Sequence, residues 1–147
     1  MLTKRILYLR GLGTAMVTPF TDDASKSVDY DRLRKLIRRQ IEGKADFLVA
    51  LGTSAETPTL TEEEQDRVIR TFVEENQDRL PLVVGVSSNS TLKVITRLTT
   101  MDVTGIDAAL VVCPFYNKPS QEGLYRHFRT IAAVSYTHLT LPTIYSV

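Results

Sequence analysis

The 147-residue chain is predicted to be an α/β protein built on a parallel sheet. Three observations predict this. Four short apolar runs alternate with four segments of helical periodicity, so the order is β-α repeated four times. The runs are apolar throughout, as expected of strands covered on both faces. The repeat of roughly 30 residues matches successive βαβ units. Two architectures accept this alternation: an open doubly wound sheet, or part of a (β/α)₈ barrel. A whole barrel typically needs about 250 residues, so this chain holds about half of one.

Each element has its own signal. Residues 1–11 read as a leader into the first strand, with a basic start and too short an apolar stretch for a secretory signal. Gly13-Thr14-Ala15-Met16-Val17 is the first strand, ended by Thr18-Pro19. From about Asp29, Leu33, Leu36, Ile37 and Ile41 recur at helical spacing, with Asp29 placed to cap the start and Gly43 the end. Phe47 to Leu51 is the second strand. Thr61 and Glu64 form a capping box that opens the second helix, whose apolar stripe is Val68, Ile69, Phe72 and Val73. Leu82 to Val86 is the third strand. The third helix runs from Ser90 to about Val103, with Leu92, Ile95, Leu98 and Met101 facing in and Gly105 ending it. Asp107 to Val112 is the fourth strand, and Ser120 to about Val134 the fourth helix.

Composition narrows the function classes. A net charge of +1 gives no field to draw nucleic acid or an anionic membrane. The cluster Arg34, Lys35, Arg38 and Arg39 reads as a solvated helix face. No apolar run approaches the ~20 residues of a membrane span. Cys113 is the one cysteine, so no intrachain disulfide forms, which fits a reducing, cytoplasmic setting. It closes an apolar run and reads as a small buried hydrophobe. His127 and His138 lie in different segments, so no metal pair is visible, and no dinucleotide or Walker glycine pattern appears. No cofactor is implied.

The chemistry concentrates at strand exits. Gly52-Thr53-Ser54-Ala55-Glu56-Thr57 follows the second strand and precedes a helix. Small residues let the backbone approach a ligand, and free N–H groups point at its negative charge. Ser54 is placed to hold a small carboxylate through N–H and hydroxyl, and Thr53 to take part in a proton relay. An ordinary Gly/Ser/Thr-rich loop is the competing reading. Pro114-Phe115-Tyr116-Asn117-Lys118-Pro119 follows the fourth strand. The Tyr116 hydroxyl can relay a proton there; packing at a loop or subunit contact is the alternative.

Three segments in register carry a resemblance: Gly13 to Phe20, Leu51 to Thr57, and Pro114 to Tyr125. Over about Leu12 to Ser135 the chain resembles the dihydrodipicolinate synthase / N-acetylneuraminate lyase family. The resemblance implies the N-terminal half of a (β/α)₈ TIM barrel over residues 12–135. It implies lyase chemistry through a Schiff base between a lysine and pyruvate, with no other cofactor. In the synthase branch the enamine attacks aspartate semialdehyde, feeding diaminopimelate and lysine biosynthesis. The parent is then a homo-oligomer, dimer or tetramer. Ser54 matches the residue that holds the pyruvate carboxylate, Thr53 the hydroxyl of the proton relay, and Tyr116 the tyrosine lent across a dimer. A sialic-acid or sugar-acid lyase of the same family and a non-catalytic carboxylate-binding module are the alternatives.

The chain departs from the family at several points. Ala55 stands where a glycine is usual, tolerable if that position needs no positive φ. Lys93 stands where lysine-inhibited members have an acidic residue, and Phe115 lacks a hydroxyl. Both argue against lysine feedback; inhibition of a full-length form by lysine contradicts this. The expected Tyr-Asn-Val-Pro-type strand and the Schiff-base lysine are missing. Residues 136–147 read as a non-family tail, in which Leu141 to Tyr145 only faintly echoes the expected strand. The lysines present are Lys4, Lys26, Lys35, Lys44, Lys93 and Lys118. None sits inside an apolar strand, where burial favours the neutral nucleophile. The chain is therefore expected to be inactive, and to be marginally stable or self-associating.

Overall fold

The computed structural model describes residues 9–135 and the short strand 138–140. The described elements are β1 (Gly13–Ala15), α1 (Tyr30–Glu42), β2 (Phe47–Ala50), α2 (Glu62–Asn76), β3 (Leu82–Gly85), α3 (Thr91–Thr100), β4 (Ala108–Leu110), α4 (Gln121–Val134) and β5 (His138–Thr140). The strands lie in chain order in one sheet, and every neighbouring pair is parallel. This is the arrangement of the N-terminal half of a (β/α)₈ barrel. It leaves β1 and β5 as the two edges of the described sheet. In a parallel sheet the exits of all strands gather at one end, and that end carries the site.

The helices start where their caps predict. The Asp29 carboxylate accepts the Arg32 N–H at 2.9 Å. Thr61 Oγ1 accepts the Glu64 N–H at 3.2 Å, while Glu64 accepts the Thr61 N–H at 2.9 Å, completing the capping box. Ser90 Oγ accepts the Lys93 N–H at 3.4 Å and Ser120 Oγ the Gly123 N–H at 3.1 Å, capping α3 and α4 without a return bond among the described residues. Gly43 closes α1 with ordinary negative φ, and the left-handed residue is Lys44 at φ +60°.

The core lies between the helices and the sheet. Leu33 and Ile37 of α1, Val68 and Phe72 of α2, Val94 and Leu98 of α3, and Ile131 of α4 all face it. They pack on Leu48, Leu82 and Val84 of the strands. On α1 the basic cluster divides: Arg34 pairs with Glu74 and Glu75, and Arg38 with Glu75, tying α1 to α2. The hydrogen bond from Arg38 holds the Glu75 carboxyl below its usual range.

Several expectations shift. β1 stops at Ala15 and Val17 is exposed. α3 stops at Thr100, and Gly105 instead turns the chain into β4 at φ +75°. Leu92 is 71% exposed, so it does not face in. The buried stripe of α3 is Val94, Leu98 and the following Met101, one i, i+4, i+7 row, and Leu92 lies off that row. Cys113 is only half-buried, because β4 ends three residues earlier and Cys113 already borders open space. In the tail, His138–Thr140 adds a fifth strand in register with Ala108–Leu110. The Leu141 to Tyr145 segment and the first eight residues lie outside the described residues.

His127 of α4 is 4% exposed, and its Nδ1 meets Thr91 Oγ1 of α3 at 2.8 Å. Among the described residues its Nε2 has no partner. Burial pushes the imidazole below its ordinary value of 6.5. The unfolded chain therefore takes up the proton first, and stability, complete above about pH 6.5, is lost as pH falls through that value towards the folded one. The hydrogen-bonded carboxyls of Glu75, Asp23 and Asp102 are lowered, so their contribution fades only at more acid pH. Melting temperature is expected to drop between pH 7 and pH 5 in the wild type and to stay level in His127→Leu. An equal drop in both contradicts the assignment.

Candidate functional site

The exit of β2 makes a sharp turn. Leu51 takes φ +52° with its side chain buried, and Thr53–Ala55 then form one turn of 3-10 helix. The Gly52 carbonyl accepts the Ala55 N–H at 3.0 Å and the Thr57 hydroxyl at 3.2 Å. The Thr53 carbonyl accepts the Glu56 N–H at 3.2 Å. Glu56 itself is left-handed, and its carbonyl receives both the N–H and the hydroxyl of Thr59. It braces the loop with its backbone, while its side chain points to solvent. Ala55 keeps negative φ and is buried, which explains how it replaces a glycine.

This wiring leaves Thr53 and Ser54 exposed at the head of the turn. Among the described residues neither hydroxyl has a hydrogen-bond partner, and neither N–H donates to a carbonyl. Two hydroxyls and two N–H groups thus stand free side by side. Chemically that is a donor set for a small anion.

The exits of β3 and β4 are stapled together. Ser87 Oγ donates to the Leu110 carbonyl at 3.4 Å and accepts the Val112 N–H at 3.3 Å. Asn117 Nδ2 donates to the Asn89 carbonyl at 3.3 Å. The Asn117 N–H bonds the Phe115 carbonyl at 2.9 Å, across Tyr116 at φ +74°. An i to i+2 bond across a positive φ is the strained form of the γ-turn, found where surrounding contacts enforce it. Its effect is to throw the Tyr116 ring outward, 96% exposed. Tyr116 touches neither Thr53 nor Ser54 through any hydrogen bond in the chain.

Between these exits lies an open cleft of about 840 Å³, bordered by Leu51, Thr53, Ser87, Lys93, Leu110 and Phe115 among others. Cys113 also borders it. The Ser87 staple was not anticipated, although Gly85-Val86-Ser87-Ser88-Asn89 repeats the small, hydroxyl-rich pattern that follows β2. Lys26, Lys35, Lys44, Lys93 and Lys118 are all exposed. Among the described residues no group of His, Cys, Asp and Glu could hold a metal. No helix among them is long and apolar enough to cross a membrane.

The chain is similar to known proteins of one family. The model of the Dihydrodipicolinate synthetase family matches residues 8–147. The 4-hydroxy-tetrahydrodipicolinate synthase of Phocaeicola vulgatus is 52% identical over 124 residues, covering 84% of this chain and 41% of the relative. That of Parabacteroides distasonis is 49% identical over 139 residues, covering 95% and 45%. Among solved structures, dihydrodipicolinate synthase from Acinetobacter baumannii complexed with pyruvate superposes with a TM-score of 0.86 at 39% identity, over 91% of this chain and 45% of that one. The enzyme from Methylacidiphilum fumariolicum SolV gives 0.85 at 37% identity, over 91% and 44%. The chain therefore spans less than half the length of these relatives. The family model spans most of the chain, and the chain belongs to the dihydrodipicolinate synthetase family.

Proposed function

We propose that the complete protein is a cytoplasmic 4-hydroxy-tetrahydrodipicolinate synthase, and that this chain supplies the end of the site that grips pyruvate. The observation that carries the reading is the free donor set of Thr53 and Ser54 at the β2 exit: Thr53 borders the cleft, and Ser54 stands exposed next to it, outside the cleft lining. The pyruvate complex of the 39%-identical Acinetobacter protein supports the choice of ligand. Ser54 holds the carboxylate through its N–H and hydroxyl. Thr53 passes a proton at the reacting end. Tyr116, turned outward by its γ-turn, completes the relay of a second subunit in the homo-oligomer.

The reaction also needs an amine that attacks the pyruvate carbonyl, loses water and becomes the enamine that adds to the aldehyde of aspartate semialdehyde. No described lysine is buried at a strand exit to do this. The chain by itself is therefore inactive in this reading. Incubation with pyruvate and borohydride, which fixes a Schiff base by reduction, is expected to leave the mass of the chain unchanged. A covalent pyruvyl adduct contradicts the assignment and identifies the amine.

A further inference from the structure

We propose that Leu51 and Gly85 are positioning residues of this site: together they hold the exit of β2 turned over the end of β3, and so set where Thr53 and Ser54 stand. The proposal rests on the reading of Ser54 as the pyruvate grip with Thr53 as the proton relay beside it.

Leu51 is a bulky residue at φ +52°, a region where such side chains are strained. It is 4% exposed, so the core clamps its side chain while its backbone turns. The turn carries its carbonyl across to β3. A Cβ placed on Gly85 would lie 2.0 Å from the Leu51 oxygen, 2.6 Å from its carbonyl carbon and 3.1 Å from the Gly52 nitrogen. These are backbone atoms and cannot rotate aside. Gly85 has no positive φ, so its glycine supplies space and not conformational freedom.

The next residues inherit this placement. Gly52 and Thr53 are bonded onward to Ala55, Thr57 and Glu56, so the turn moves as one piece. Thr53 and Ser54 have no side-chain anchor among the described residues. Shifting the Leu51–Gly52 peptide therefore carries both hydroxyls with it.

Packing and turn geometry rank two substitutions in opposite order. Leu51→Val keeps an apolar side chain but is β-branched and resists positive φ; Leu51→Asn loses the apolar contact but tolerates the left-handed region. The ¹⁵N-labelled full chain is compared by backbone amide signals and by pyruvate titration. Leu51→Asn is expected to keep the Thr53 and Ser54 signals in place and pyruvate affinity within about twofold of wild type. Leu51→Val is expected to move those signals and weaken pyruvate at least about tenfold. Gly85→Ala is expected to behave like Leu51→Val if it folds. The proposal is overturned if Leu51→Val preserves the site better than Leu51→Asn, or if folded Gly85→Ala leaves the signals unmoved. The amide signals read positioning without ligand. Variants whose amide signals obey this order, with a wild type that ignores pyruvate, sink the pyruvate grip and leave the positioning role standing.

Discussion

Phe72→Ala is expected to leave the chain without a cooperative fold at room temperature. Phe72 is 1% exposed and is the largest fully buried side chain among the described residues, placed on α2 against the sheet. Truncating a buried Phe costs about 3–5 kcal/mol, the lost transfer energy plus the cavity. A whole domain has a stability of only about 5–15 kcal/mol. This chain is expected to sit low in that range, because among the described residues β1 and β5 are open edges of the sheet. Leu92→Ala is the matched control: with Leu92 71% exposed, it removes little buried contact and is expected to shift stability by less than about 0.5 kcal/mol. Urea unfolding followed by circular dichroism separates them. A Phe72→Ala transition within about 1 kcal/mol of wild type contradicts this picture of the core.

Ser54→Ala is expected to weaken pyruvate binding about 10- to 100-fold. The hydroxyl stands free beside its own N–H, so the carboxylate loses one charge-assisted bond of about 1.5–3 kcal/mol. Thr53→Ala is expected to stay within about threefold, because Thr53 is assigned to proton transfer and not to the carboxylate. Both residues are exposed, so neither change disturbs the core. Calorimetry on the folded variants reads the contrast. Equal losses in both variants contradict the division of roles, and no loss in Ser54→Ala removes the carboxylate grip.

Much of the scaffold was legible because it follows local rules. The Thr61–Glu64 capping box, the Asp29 cap and the uniformly apolar strands each need only neighbouring residues to be recognised. On the inward face of α3, Leu98 and Met101 are buried and Ile95 packs against the core as expected, while Leu92 points out and Val94 takes its place. Leu92, Val94, Ile95 and Leu98 offer two overlapping helical rows, and only the sheet's position selects the row through Val94. Thr53 and Ser54 were legible as a hydroxyl pair at a strand exit. The reason they stand free was not. It depends on Leu51 in a left-handed turn and on its contact with Gly85, 34 residues away, which no periodicity reveals. The Tyr116 γ-turn was hidden likewise, since nothing in Pro114 to Pro119 announces a strained φ.

The central claim is that the β2 exit is a pyruvate grip formed by this chain alone. A pyruvate titration of the ¹⁵N-labelled wild-type chain reads it directly. The account predicts saturable shifts centred on the Gly52, Thr53, Ser54 and Ala55 amides, with α1 and the α1–α2 ion-pair face unmoved. Saturation with those four amides unmoved, or shifts centred elsewhere, contradicts it.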